Sequence, residues 1–236
     1  MILAAVVVLG LLALGWYIIS GKESKNTTIE TTSEAKIKYI AIGDSYTIGN
    51  GVPESGRWPN VLVKNLRENG VDIELISNPA VSGYRVRDAI ETELPIVQRL
   101  RPDFVTVLIG ANDNFGQIPA NIYRQELIEL LDKLQSMLTN PKNIVLITIP
   151  DYSKSPAAAG YKTSGASESI EEYNKVVKDE AEKRDLKVAD IFPVSQTMTG
   201  REDYISDGLH PSAEGYAKWE KVIYPVVRDF LNTEAE

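Results

Sequence analysis

From residue 36 onward, short apolar runs alternate with stretches whose apolar residues recur every three or four positions, the pattern of strands joined by helices. Residues 36–42 (KIKYIAI) read as a first strand. Residues 58–69 put Val61, Leu62 and Leu66 on one helical face, and Gly70 stops that helix. A second strand spans 73–77, followed by a helix over 86–100 that Pro95 interrupts. Residues 104–109 (FVTVLI) and 143–149 (NIVLITI) are near-continuous apolar runs, as strands buried on both faces require. Between them, Tyr123, Leu127, Leu130, Leu131, Leu134 and Leu138 line one side of a helix over 120–138. Ser169 with Glu172 predicts a capping box for a helix running to Arg184, and 187–190 a short fifth strand. Pro211 suits the first position of a last helix, which carries Tyr216, Trp219, Ile223, Val226 and Phe230 on its face and a kink at Pro225. The alternation predicts a parallel sheet covered by helices on both faces.

The first 35 residues follow a different pattern. Residues 2–19 carry no charge and are rich in Leu, Val, Ala and Ile, with Trp16 and Tyr17 near the end. A run of this length is at the short end of what spans a bilayer, and its aromatic residues suit an interface. Residues 1–20 are therefore expected to be a membrane anchor or signal segment. No clear small-residue cleavage site follows, which favours the anchor. Residues 21–35, rich in Ser, Thr, Lys, Asn and Glu, read as a flexible linker. An apolar span ahead of a polar linker predicts an extracytoplasmic domain, membrane-anchored or secreted, over 36–236. Lys22 and Lys25 point to the opposite orientation by the positive-inside rule.

Composition narrows the chemistry. The chain has 33 acidic and 25 basic residues, a formal charge of −8, so a nucleic-acid partner is not expected. It has no cysteine and a single histidine, His210. A thiol nucleophile, a disulfide and a metal site built on several imidazoles are all excluded. Any imidazole acid–base chemistry runs through His210.

Three groups of residues carry candidate chemistry. Gly43-Asp44-Ser45 directly follows the first strand, where glycine permits a tight turn that presents a serine hydroxyl at the sheet edge. Such a serine is either a helix cap or a nucleophile, and as a nucleophile it needs a base. No dinucleotide or phosphate-loop pattern surrounds it, and Thr47 stands where a G-x-S-x-G elbow needs glycine. Asp207 lies three residues before His210, a spacing that sets a carboxylate beside Nδ1 and leaves Nε2 to take a proton. Ser82-Gly83 and Gly110-Ala111-Asn112-Asp113 follow the second and third strands. Gly83 and Asn112 offer N–H groups of the kind that an oxyanion requires, as does the Ser45 backbone. With strands ordered 2-1-3 at the centre, all three meet at the carboxyl edge of the sheet, where open α/β sheets bind ligands. Asp44 and Asp113 read as braces for their loops.

These blocks, with Asn78 ahead of Ser82-Gly83 and Pro211 behind His210, resemble the GDSL/SGNH hydrolase family, and the domain is similar to its lysophospholipase and thioesterase I type of esterase. Trp58-Pro59 and Tyr173-Asn174 add to the likeness, which spans roughly residues 36–230. It implies a three-layer α/β/α flavodoxin-like fold with a parallel five-stranded sheet ordered 2-1-3-4-5, and no metal or organic cofactor. The implied activity is hydrolysis of carboxylic esters, with thioesters as a second class, through an acyl-serine intermediate. Ser45, His210 and Asp207 would form the triad, and Ser45, Gly83 and Asn112 the oxyanion hole. Small esters, acylated glycans and lipids are the expected substrates; residues 2–19 would contact the membrane, and the pattern says nothing of oligomeric state. A surface-anchored carbohydrate-binding module without turnover is the alternative on the same fold. Tyr46 replaces the leucine of the family motif, and Tyr84-Arg85 stands where many relatives carry Asp-Thr. Arg85 is a candidate either for an anionic substrate group or for a surface salt bridge. Residues 150–165 read as a flexible loop walling one side of the cleft.

Overall fold

The computed structural model describes residues 36–160 and 166–233; the expected anchor and linker lie outside them. Five parallel strands form one sheet: β1 (Ile37–Gly43), β2 (Ile73–Ser77), β3 (Phe104–Leu108), β4 (Ile144–Ile147) and β5 (Lys187–Ala189). Their order is 2-1-3-4-5, with β1 paired to β2 and β3 through parallel registers such as Tyr39 with Leu75 and Phe104. The central strands β3 and β4 are buried along their whole length, because helices cover both faces and leave no polar side to alternate with.

The helices follow from the same periodicity. Helix α1 (Ser45–Ile48) is a single turn after β1, and α2 (Trp58–Glu68) packs with the last helix, α8 (Ala213–Thr233). On the other side, α3 (residues 86–100), α5 (Ala120–Met137) and α6 (Ala166–Lys183) pack side by side. Two short helices, α4 (Ala111–Phe115) and α7 (Phe192–Gln196), sit at strand exits. Phe104 at the start of β3 lies 5.3 Å from the Tyr39 ring and 5.9 Å from Phe230 of α8, closing the core at that end.

Several local expectations are corrected. The interruption of α3 is a wide π turn over Ala89–Glu93, where Leu94 N–H donates to the Ala89 carbonyl five residues back. This turn shifts the hydrogen-bond register just ahead of Pro95, which then occupies the first turn of the next α-helical segment, where its missing N–H leaves no gap. Ser169 is not a cap: α6 already runs from Ala166, and the Ser169 hydroxyl accepts a 2.8 Å bond from Asn114 Nδ2. Pro211 does not open α8 but forms a β-bridge with Tyr204, while Ser212 supplies the cap, accepting from Gly215 N–H at 3.2 Å. Finally, residues 150–160 are not an open loop but two consecutive 3₁₀ turns. Buried Asp151 ties them down, accepting from Ser153 N–H (3.2 Å), Ser167 Oγ (2.5 Å) and Gln196 Nε2 (3.1 Å). Residues 161–165 lie outside the description. Among the described residues no helix is long and apolar enough to cross a membrane.

Candidate active site

The site begins where β1 ends. A Cβ on Gly43 would collide with the Leu108 carbonyl oxygen of β3 and with Thr47 Oγ1 of α1. Glycine thus lets the first turn after the strand lie against its neighbour. The Gly43 N–H donates to Glu93 Oε2 at 3.1 Å, and the Asp44 carboxylate accepts Tyr46 N–H at 2.9 Å, capping α1. Ser45 is therefore the first residue of a braced turn. It is 7 % exposed, and among the described residues its hydroxyl makes no hydrogen bond.

His210 comes from the loop before α8. The Asp207 carboxylate receives three hydrogen bonds: Leu209 N–H at 2.8 Å and His210 N–H at 3.0 Å on Oδ1, and His210 Nδ1 at 2.6 Å on Oδ2. Partial burial pushes this carboxyl up, but the imidazole and the two amides outweigh it and hold it below the usual range. Asn50 Nδ2 stands 3.5 Å from the same ring nitrogen. The Tyr46 ring lies 5.5 Å from the imidazole and 5.7 Å from Trp219, so the residue after Ser45 forms the bed on which His210 rests.

Gly83 adopts φ +88°, and no atom lies within 4 Å of where its Cβ would be, so the space beside its Cα is open. Asn112 is the second residue of α4, after the Gly110 cap, and donates from Nδ2 to the Tyr84 carbonyl at 2.9 Å. That bond takes one of the two amide hydrogens and locks the side chain. Asp113 Oδ2 accepts Val86 N–H at 3.2 Å, so the loops carrying Gly83 and Asn112 are bolted together.

One cavity of about 260 Å³ unites these parts: Ser45, Ser82, Gly83, Asn112 and His210 all line it. Asp207 lies behind the histidine. The remaining wall is Tyr46, Ala111, Phe115, Tyr152 and Leu209. Of these, Phe115 and Tyr152 are not apparent in the sequence. Tyr152 follows β4 in a stretch without periodicity; its hydroxyl donates to Asn114 Oδ1 at 2.6 Å and its ring lies 6.3 Å from that of Phe115. Behind the Ser45 turn three buried carboxyls are pushed up by burial: Asp44 to about 7, Glu93 to about 8 and Asp113 to about 6. The Gly43 N–H opposes this at Glu93 and the Asp44 charge adds to it. No group of three or more His, Cys, Asp or Glu among the described residues is placed to hold a metal.

A family model for GDSL-like Lipase/Acylhydrolase proteins matches residues 41–218. An arylesterase from Vibrio mimicus is 25 % identical over 186 residues, which cover 79 % of this chain and 86 % of that protein. Among solved structures, the psychrotrophic esterase EstA from Pseudoalteromonas superposes with a TM-score of 0.67 at 19 % identity, covering 84 % of this chain and all of that one. The acetylxylan esterase Axe2 from Geobacillus stearothermophilus superposes with a TM-score of 0.65 at 21 % identity, covering 81 % and 94 %.

Proposed function

Since the chain belongs to the GDSL-like Lipase/Acylhydrolase family and is an ester hydrolase, we propose that Ser45 is its nucleophile, His210 its general base and Asp207 the acid that orients the base. The observation carrying this reading is the single cavity that Ser45, His210, Gly83 and Asn112 line together, with Asp207 bonded to Nδ1 at 2.6 Å. A carboxylate only accepts, so Nδ1 carries its proton and Nε2 is left free.

Nε2 takes the Ser45 proton as Oγ attacks the ester carbonyl. The tetrahedral oxyanion receives N–H donors from the Ser45 and Gly83 backbones and the second hydrogen of Asn112 Nδ2. The imidazolium then protonates the leaving alcohol, and the same nitrogen draws a proton from water for deacylation. Asn112 is well suited to this work because its bond to Tyr84 fixes its geometry before substrate arrives. A cavity of this size, walled by Tyr46, Ala111, Phe115, Tyr152 and Leu209, favours short acyl groups, acetyl above all. O-acetyl groups on glycans are a fitting substrate class. Thioesters would follow the same steps with a better leaving group.

Hydrolysis of a series of 4-nitrophenyl esters by the wild type and Ser45→Ala tests the assignment. Ser45→Ala is expected to lose several orders of magnitude in turnover and all labelling by a fluorophosphonate probe. Equal rates in the two proteins would remove Ser45 from the mechanism. We further place residues 2–19 as an anchor that holds the domain outside the cytoplasmic membrane. Protease treatment of intact spheroplasts should then digest the domain, and protection there would reverse the orientation.

A further inference from the structure

Arg85 is exposed and lies two residues beyond Gly83, which lines the cavity. Its place is set on all sides. The Tyr84 carbonyl before it accepts from Asn112, its own N–H donates to Asp88 Oδ2 at 2.8 Å, and Val86 after it donates to Asp113. The guanidinium lies over Gly116, at the end of α4: a Cβ there would collide with Arg85 Nη2 and stand 3.0 Å from its Cζ. The same Cβ would be 3.0 Å from the Asn112 carbonyl oxygen, so the charge rests on the turn that carries Asn112. Phe115, the neighbouring residue, lines the cavity.

Although the Arg85 backbone N–H binds Asp88, among the described residues its guanidinium forms no ion pair with a carboxylate. Arg87, two positions on, pairs with Glu126 and Glu129, and Arg124 with Asp179 and Glu180. The buried Asp113 carboxyl feels the Arg85 charge only weakly, well behind burial. Among the described residues no salt bridge therefore occupies the guanidinium, and it is available to a ligand. Two exposed apolar side chains belong to the same two loops, Val81 at 42 % and Phe115 at 60 %. In a chain of net charge −8, an anionic substrate is repelled at long range and needs a local cation to settle.

We propose that Arg85 forms an anion-selecting subsite, so that the enzyme prefers esters bearing a carboxylate or similar oxyanion near the scissile bond. The planar guanidinium can hold such a group through two parallel N–H bonds, while Val81 and Phe115 cover the carbon skeleton that carries it. The inference rests on the esterase reading of the same cavity and adds its substrate class.

Paired substrates test it, with charge placed on either side of the ester. On the alcohol side, 4-acetoxybenzoate is compared with methyl 4-acetoxybenzoate. On the acyl side, mono-4-nitrophenyl adipate is compared with 4-nitrophenyl hexanoate. The quantity read is the charged-to-neutral ratio of kcat/KM at low ionic strength in the wild type, Arg85→Gln and Arg85→Lys. Taking the ratio within each protein cancels differences in folded fraction, and comparing the ratios between proteins cancels differences in leaving group. In at least one pair, Arg85→Gln is expected to lower the ratio about two- to five-fold, the value of one exposed ion pair. Arg85→Lys should recover part of it, and added salt should shrink the wild-type preference. Arg201→Gln removes the same charge from the groove on the far side of the Asp207–Gly208 turn. It should change the ratio less. A ratio unmoved by Arg85→Gln in both pairs, or moved equally by Arg201→Gln, overturns the subsite. Wild-type inactivity on every ester would instead overturn the esterase reading, and this inference with it.

Discussion

At the scale of single residues, the site depends on side chains fixed before any substrate enters. Asn112 is the clearest case. Its bond to the Tyr84 carbonyl makes the amide a rigid donor, so Asn112→Ala should lower kcat by about 10²–10³ with a small change in KM. A fall in kcat/KM through KM alone would assign Asn112 to ground-state binding instead. Asp207 is legible from its spacing to His210. Its two further amide bonds, to Leu209 and His210, are not, because they depend on how the loop closes on itself. Tyr46, the departure from the family motif, packs under His210 and against Trp219. It fills the space between the β1–α1 turn and α8, a role that sequence could not assign because Trp219 is remote in the chain.

At the scale of elements, two turns bear the load. The β1–α1 turn tolerates no side chain at Gly43, where the obstacle includes the backbone carbonyl of Leu108. Gly43→Ala must push β3 or α1 aside, at a cost of about 1–3 kcal/mol. The melting temperature should fall by about 2–4 °C for each kcal/mol in a domain of this size. An unchanged melting temperature would show that the turn can shift freely. The second turn follows β4, where Asp151 gathers Ser153, Ser167 and Gln196. Next to it, Tyr152 lines the cavity. Asp151→Ala should loosen that wall and raise KM more than it lowers kcat, as steady-state kinetics on a 4-nitrophenyl ester would record. This turn was misread as a flexible loop because residues 150–165 carry no period. Its order comes from one carboxylate reaching residues up to 45 positions away. Ser169 and Pro211 misled for a related reason: each fits a helix start locally, yet α6 starts three residues earlier and the Tyr204 bridge claims Pro211.

For the molecule as a whole, the three buried carboxyls behind the site couple stability to pH. Asp44, Glu93 and Asp113 are raised to about 7, 8 and 6, so the folded state holds their protons more tightly than the unfolded chain does. Their contribution is complete below the ordinary carboxyl value near pH 4 and is lost as pH climbs through about 6 to 8. Asp207, held low, works in the opposite sense and loses its contribution in acid. The melting temperature should therefore decline from pH 5.5 to pH 9. Glu93→Gln, which keeps an acceptor for Gly43 N–H, should decline less steeply; parallel curves for the two proteins would discard this coupling. The sequence by itself determined the strand order's ingredients and the fold class, because strand and helix periods are local and β3 and β4 are apolar throughout. It also supplied Ser45, Gly83, Asn112, Asp207 and His210 as candidates, since each sits in a short motif beside a strand end or a helix start. Only the tertiary structure decided that Ser45, Gly83, Asn112 and His210 line one small cavity with Asp207 bonded behind His210, that Tyr152 and Phe115 wall it, and that the Arg85 guanidinium has no ion pair among the described residues. Those facts depend on which distant segments approach one another, and proximity across a sheet leaves no trace in the spacing of residues along a chain.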